Sequence, residues 1–145
     1  MYLLDTNVVS ELRRPKPQPS VLTWLAGVAS EQLFLSAVTV GEIQAGIEIT
    51  REQDPAKAAE LEVWLGRVLA SYTLLSVDAA AFRVWARLKH RQSDTLMEDA
   101  LIAATAVVHR LIVVTRNIDD FAQLGVETLD PFDSPSPIKK KDEPN

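Results

Sequence analysis

The sequence predicts an α/β fold: a three-layer α/β/α sandwich around a mostly parallel central sheet of four to five strands. Three observations predict it. Short apolar runs alternate with longer segments of helical periodicity along the whole chain. The run Leu111-Ile112-Val113-Val114 is β-branched and uncharged, as expected of a strand covered on both faces. The 145 residues, 47% hydrophobic and 24% charged, have the balance of one globular domain with a sizeable core.

The first strand is Tyr2-Leu3-Leu4, ended by Asp5. Thr6 and Asn7 are good helix caps, and Val8 to Leu12 suffices for one or two helical turns. The next stretch, Arg13 to Pro19, has three alternating prolines and three positive charges, so it is an extended loop. Ser20 then caps a helix with Val21, Trp24, Leu25 and Val28 at helical spacing. Leu33-Phe34-Leu35 is the second strand. Thr39 opens the following helix, which carries Glu42 in its first turn and Ile43 and Ile47 inward. Asp54-Pro55 is a cap followed by proline at the first helical position. The helix it opens runs to about Ser71, with Leu61, Trp64, Leu65, Val68 and Leu69 on one face.

Thr73 to Val77 is a third strand. Asp78 caps a helix with Phe82, Trp85 and Leu88 inward, ending near Lys89-His90-Arg91. Gln92 to Leu96 is a polar connection. From Met97 to His109 the chain is helical and apolar nearly all round, so that helix is buried. After the strand Leu111 to Val114, Thr115-Arg116-Asn117 leads to a short helix or turn over Ile118 to Leu124, stopped by Gly125. Val126 to Leu129 is a last, weaker strand at an edge. From Asp130 the composition turns to Pro, Ser, Lys and Asp. The expected organisation is one domain over residues 1–132 and a flexible polar tail over 133–145.

The chain has no cysteine, which excludes a disulfide framework and thiolate metal sites. Its net charge of -5 means that a nucleic-acid partner must be drawn by local basic patches. No basic segment followed by a long apolar run opens the chain, and no stretch has the length and apolarity of a membrane span. A cytoplasmic protein without membrane contact is expected.

Acidic and amide side chains recur where strands end or helices begin: Asp5, Glu42, Asp99, and Asn117 with Asp119 and Asp120 behind it. Each has a capping explanation. Thr39 to Glu42 matches a capping box, Glu98 and Asp99 suit a helix dipole, and Asp5 can cap the first helix. Yet the ends of parallel strands open onto one edge, and there the acids would face each other. Asp99 joins them if its helix begins at that edge. Two carboxylates about 5 Å apart repel by roughly 3 kcal/mol at an effective dielectric of about 20, so such a cluster implies a cation. Oxygen donors of this kind suit Mg²⁺ or Mn²⁺.

Four segments together resemble the PIN-domain ribonucleases, specifically the VapC-type toxins and the FitB group within them. They are Leu3-Leu4-Asp5-Thr6-Asn7-Val8-Val9-Ser10-Glu11, Leu35 to Glu42, Asp99 to Ala106 and Val114 to Phe121. The resemblance spans Met1 to about Phe132. It implies an acidic pocket for one or two divalent ions, built by Asp5, Glu42 and Asp99, and a fourth acid where this chain has Asn117. An amide oxygen can bind metal but adds no charge, so Asp120 is the alternative at that position. The implied reaction is metal-dependent hydrolysis of RNA phosphodiester bonds. Thr6, Asn7, Ser36 and Thr115 are polar groups at strand ends that could fix the acids or a phosphate, and Arg116 is best placed to meet RNA. Arg13, Arg14, Lys16, Lys89 and Arg91 are further cations for RNA, while His90 and His109 have no catalytic place.

The resemblance also implies a small cognate antitoxin of the VapB or FitA type that blocks the pocket. Operator DNA would be contacted only through that antitoxin, and the toxin is expected to be a homodimer. Two other readings are a catalytically weak PIN scaffold that binds RNA or antitoxin, and a metal-dependent phosphatase-like domain. The latter needs a second acid two residues after the nucleophilic Asp or a lysine after a late strand. Asp5-Thr6-Asn7 and Thr115-Arg116-Asn117 supply neither.

Overall fold

Residues 1–90, 92 and 97–133 are described by the computed structural model. Five strands form one sheet: β1 Tyr2–Leu4, β2 Leu33–Ser36, β3 Thr73–Leu75, β4 Ile112–Val114 and β5 Thr128–Leu129. Their order is β3-β2-β1-β4-β5, and every pairing is parallel. Parallel neighbours cannot be joined by a tight turn, so a helical crossover lies between consecutive strands. The helices are α1 Thr6–Glu11, α2 Pro19–Ala26, α3 Ala37–Gln53, α4 Pro55–Ser71, α5 Ala79–Lys89, α6 Met97–His109 and α7 Ile118–Gln123.

The two-residue period of the strands divides the core. Leu4, Leu33, Leu35 and Val114 point to one face and pack with Val8, Val9, Val21, Ile43, Ile47, Leu65 and Val68 of α1 to α4. Leu3, Phe34 and Val113 point to the other, against Ala100, Ile102, Ala103 and Ala106 of α6 and Phe121 of α7. The sheet is thus sandwiched, as its apolar strands require. β1 is the central strand, with Leu3 and Leu4 fully buried.

The caps of α4 and α5 lie where the sequence places them, while Asp5 caps α1 and Thr6 and Asn7 are already inside that helix. The Asp54 carboxylate accepts from the Lys57 amide, with Pro55 first in α4, and the Asp78 carboxylate accepts from the Ala81 amide of α5. Three further expectations are corrected. First, α3 starts at Ala37, not at Thr39. Ser36 ends β2 in an extended conformation, and its hydroxyl accepts from the Val38 amide at 3.0 Å. Thr39 and Glu42 are therefore inside the helix, Glu42 in its second turn, and no capping box forms.

Second, Gln18 rather than Ser20 occupies the cap of α2, because Pro19 is already first in the helix. The Ser20 hydroxyl instead donates to the Phe132 carbonyl at 3.1 Å. Third, Phe82 is 46% exposed rather than inward, set edge-to-face on Trp85. Gly125 follows α7 with φ of 76°, a left-handed turn that a side chain disfavours. Arg91, the polar connection apart from Gln92, and the tail beyond Asp133 lie outside the described residues.

Candidate metal centre at the carboxyl edge of the sheet

β1 and β4 are paired with Leu4 opposite Val114. One residue further, Asp5 and Thr115 leave the sheet side by side. The Asp5 amide still donates to the Val114 carbonyl at 2.9 Å. The Thr115 hydroxyl donates to Asp5 Oδ2 at 2.7 Å, and the Thr6 amide donates to Oδ1 at 2.7 Å. Asn7 Nδ2 reaches both Asp5 Oδ2 at 3.2 Å and Thr115 Oγ1 at 3.3 Å. Asp5 is 3% exposed. Burial raises its carboxyl above the ordinary range, while the bonds from Thr115 and Thr6 act against that rise. Asp5 is also the cap of α1, so the capping and site placements fall on the same side chain.

On the other side of β1, Ser36 ends β2 and its hydroxyl is engaged in capping α3. That helix brings Glu42 back over α1. The Thr6 hydroxyl donates to Glu42 Oε1 and lies 3.0 Å from the Thr39 hydroxyl. Thr6 has one proton to give, so Thr39 is the donor in the second contact. The Glu42 carboxyl is pushed up to about 7, first by burial, against the Thr6 bond, and then by a hydrogen bond and charge from Glu98 and the charge of Asp5.

α6 begins at this same edge. Asp99 is pushed up to about 6 by burial, then by the charges of Asp5, Asp120 and Glu98. Acids from four separate elements therefore act on one another across a small space. Asn117 precedes α7 and is exposed; its amide donates to Thr115 Oγ1 at 2.9 Å, but its side chain makes no cap bond. Asp120, one turn further, is the half-buried acid whose charge reaches Asp99. The Arg116 amide donates to Asn7 Oδ1 at 3.2 Å, and its guanidinium lies over the Phe132 ring at 3.8 Å.

Three residues of this edge have roles that the sequence does not predict. Glu98 is expected only to suit the helix dipole, yet it touches Glu42. Thr39 is expected as a cap and is instead fully buried against Thr6. Lys57, on α4, lines a groove that begins at Thr6 and Glu42. Glu98 stands beside Asp99 in the first turn of α6, and that adjacency is the available signal. Nothing local marks Thr39 or Lys57.

The donor set is oxygen throughout, which suits a hard divalent cation. Among the described residues, no three His, Cys, Asp or Glu form a set that could hold a metal ion as they stand. Mg²⁺ keeps several waters and needs only one or two carboxylates, so a pair such as Asp5 and Asp99 meets its requirement. The residues present fit an ion of that kind.

Known proteins place the chain in a family. A family model described as PIN domain matches residues 2–127, and the chain belongs to the PIN-domain family. Within it the chain is similar to Toxin FitB of Neisseria gonorrhoeae, 32% identical with 91% of this chain and 99% of that protein covered. It is also similar to VapC ribonuclease Y4jK of Sinorhizobium fredii, 34% identical with 92% and 99% covered. The crystal structure of FitAcB from Neisseria gonorrhoeae superposes with a TM-score of 0.83 at 32% identity, over 92% of this chain and 100% of that one. The expected sandwich is confirmed, with all five strands parallel.

Proposed function

We propose that the chain is the toxin of a toxin-antitoxin pair and acts as a Mg²⁺- or Mn²⁺-dependent ribonuclease hydrolysing RNA phosphodiester bonds. One observation supports this most: Asp5, at the end of β1, acts by its charge on both Glu42 of α3 and Asp99 of α6, raising the proton affinity of each. Relatives named as a ribonuclease and as a toxin support the same reading.

Asp5 and Asp99 would hold the ion. Bound there, a divalent cation lowers the pKa of a water and offsets charge on the phosphate. Thr115, Asn7 and the Thr6 amide fix both oxygens of Asp5 and leave one acceptor site, on Oδ1, for an ion. Glu42 titrates near neutrality with Oε1 held by Thr6, so it is the group suited to accept a proton from the attacking water. Asp120 rather than Asn117 serves as the fourth acid, because its charge reaches Asp99. Ser36 acts only as a cap.

A relative named a toxin implies a partner that restrains it, and we assign that part to a small antitoxin covering this edge. Leu65 and Val68 are buried in this chain's own core, so the α4 face they form is not open to a partner. Ile49 and Val63, 66% and 59% exposed on α3 and α4, are where a second copy would pack. No helix among the described residues is long and apolar enough to cross a membrane.

The test is cleavage of a single-stranded RNA by the purified chain. Cleavage is expected with Mg²⁺ or Mn²⁺, to stop on adding EDTA, and to return when the ion is restored. Binding of RNA without cleavage under any divalent ion would replace this reading with that of a binding-only scaffold.

A further inference from the structure

We propose that Arg13 and Lys57 hold backbone phosphates of the RNA strand on the α1/α3/α4 side of the acidic edge. The proposal rests on the ribonuclease reading and adds residues and a path to it. A groove of ≈ 210 Å³ starts at Thr6 and Glu42, runs between α1, α3 and α4, and has Arg13 and Lys57 along it. A second hollow continues from it towards the proline loop, lined by Asn7, Arg14 and again Ser10, Arg13 and Lys57. The shared wall is therefore basic, and it is assembled from two segments far apart in the chain.

Charge favours a polyanion there. The protein carries a net -5 and its reactive edge is acidic, so a phosphate backbone is repelled unless cations stand beside that edge. Arg13 is exposed and makes no salt bridge among the described residues. Among the described residues, Lys57 has only a loose contact of 3.7 Å with exposed Glu60. Both are available to a phosphate. The groove's inner wall, Ile43 and Ile47, belongs to the core at 9% and 2% exposure; half-buried Leu61 and Trp64 add apolar surface, and Ser10, Thr50, Arg13 and Lys57 supply the polar groups.

The loop bearing Arg13 is also anchored. Buried Glu11, 6% exposed, accepts from the Gln18 amide at 2.8 Å and from Arg14 at 3.3 Å, tying the loop back to α1. On the opposite flank Arg116 is held over Phe132. The strand would therefore cross the acids from one cationic rim to the other.

The experiment compares Arg13→Gln/Lys57→Gln with Arg83→Gln/Arg87→Gln, which removes the same charge from α5 on the other side of the sheet. Binding of a labelled single-stranded RNA is measured on an Asp5→Asn background across a salt series, and KM and kcat are measured with Asp5 intact. The first double variant is expected to weaken binding on the order of tenfold, with the larger share of the activity loss in KM. The slope of log affinity against log salt should fall by about 1.4, since each phosphate contact on a single strand contributes about 0.7. The α5 variant should behave as its parent. If the two double variants match in affinity and salt slope, the groove serves a protein segment instead and the proposal fails. If the binding difference holds but the intact chain cuts no RNA, the hydrolase reading falls while this assignment stands.

Discussion

Asp5→Asn is expected to lower RNA cleavage by at least about 100-fold, because even outer partners of a metal ligand are worth roughly 10–100-fold. The fold should survive. The substituted side chain keeps a carbonyl oxygen for the Thr6 amide or the Thr115 hydroxyl, both now at 2.7 Å from the Asp5 carboxylate. Its amide nitrogen then lacks an acceptor, a cost of about 1–3 kcal/mol. Against this, one of several facing charges disappears, and a carboxylate pair about 5 Å apart repels by roughly 3 kcal/mol at an effective dielectric of about 20. The two effects are similar in size. Metal-free stability near neutral pH should therefore change by no more than about 1–2 kcal/mol, in either direction. Thermal unfolding and steady-state cleavage on the same preparation check this. Retained activity, or a loss that merely follows unfolding, contradicts the assignment of Asp5.

The second large effect is on stability. An ion that binds only the folded chain stabilises it by about 2.7 kcal/mol at a hundredfold excess over its dissociation constant. For a domain of this size that corresponds to a rise in Tm of about 5–10 °C. The sign of the pH dependence should also reverse. Glu42 is raised from 4.5 to about 7 and Asp99 from 3.8 to about 6 in the folded chain. Without metal the folded state thus holds more protons than the unfolded state between those values. The stability from these groups is fully present below their unfolded values and is lost as pH rises through about 6 and then about 7. An ion requires the deprotonated carboxylates, so in excess Mn²⁺ stability from the site should instead grow from pH 5 to pH 7. Scanning calorimetry at several pH values, with and without Mn²⁺, measures both slopes. Equal slopes, or an equal Mn²⁺ shift in Asp5→Asn, would contradict the account.

The alternation of apolar runs and helical segments is enough to read the sandwich, because burial on both faces of a parallel sheet leaves a strong local pattern. The caps at Asp54 and Asp78 are readable for the same reason: the cap and the residues it serves are neighbours in the chain. Expectations fail where a distant element decides the outcome. Thr39 looks like a cap locally, but Ser36 fits the end of β2 and caps α3 three residues earlier. Ser20 looks like a cap too, but its hydroxyl turns to Phe132 across the molecule.

At the candidate centre, the position of Asp5 is readable from the strand it ends. Two things are not. One is the start of α6 at the same edge, which depends on how the chain returns from α5. The other is the contact of Glu98 with Glu42, which depends on the rotation of α6 about its axis. Lys57 and Arg13 lie 44 residues apart and meet only because α4 folds back along α3 and α1.

Manganese anomalous diffraction from crystals of this chain would address the arrangement of acids most directly. A peak in contact with Asp5 and Asp99, with Glu42 beside it and Glu98 turned away, is the predicted result. Full-occupancy manganese bound elsewhere on the surface, with none between Asp5 and Asp99, would mean that these carboxylates cluster for some other reason and that the proposed chemistry is wrong.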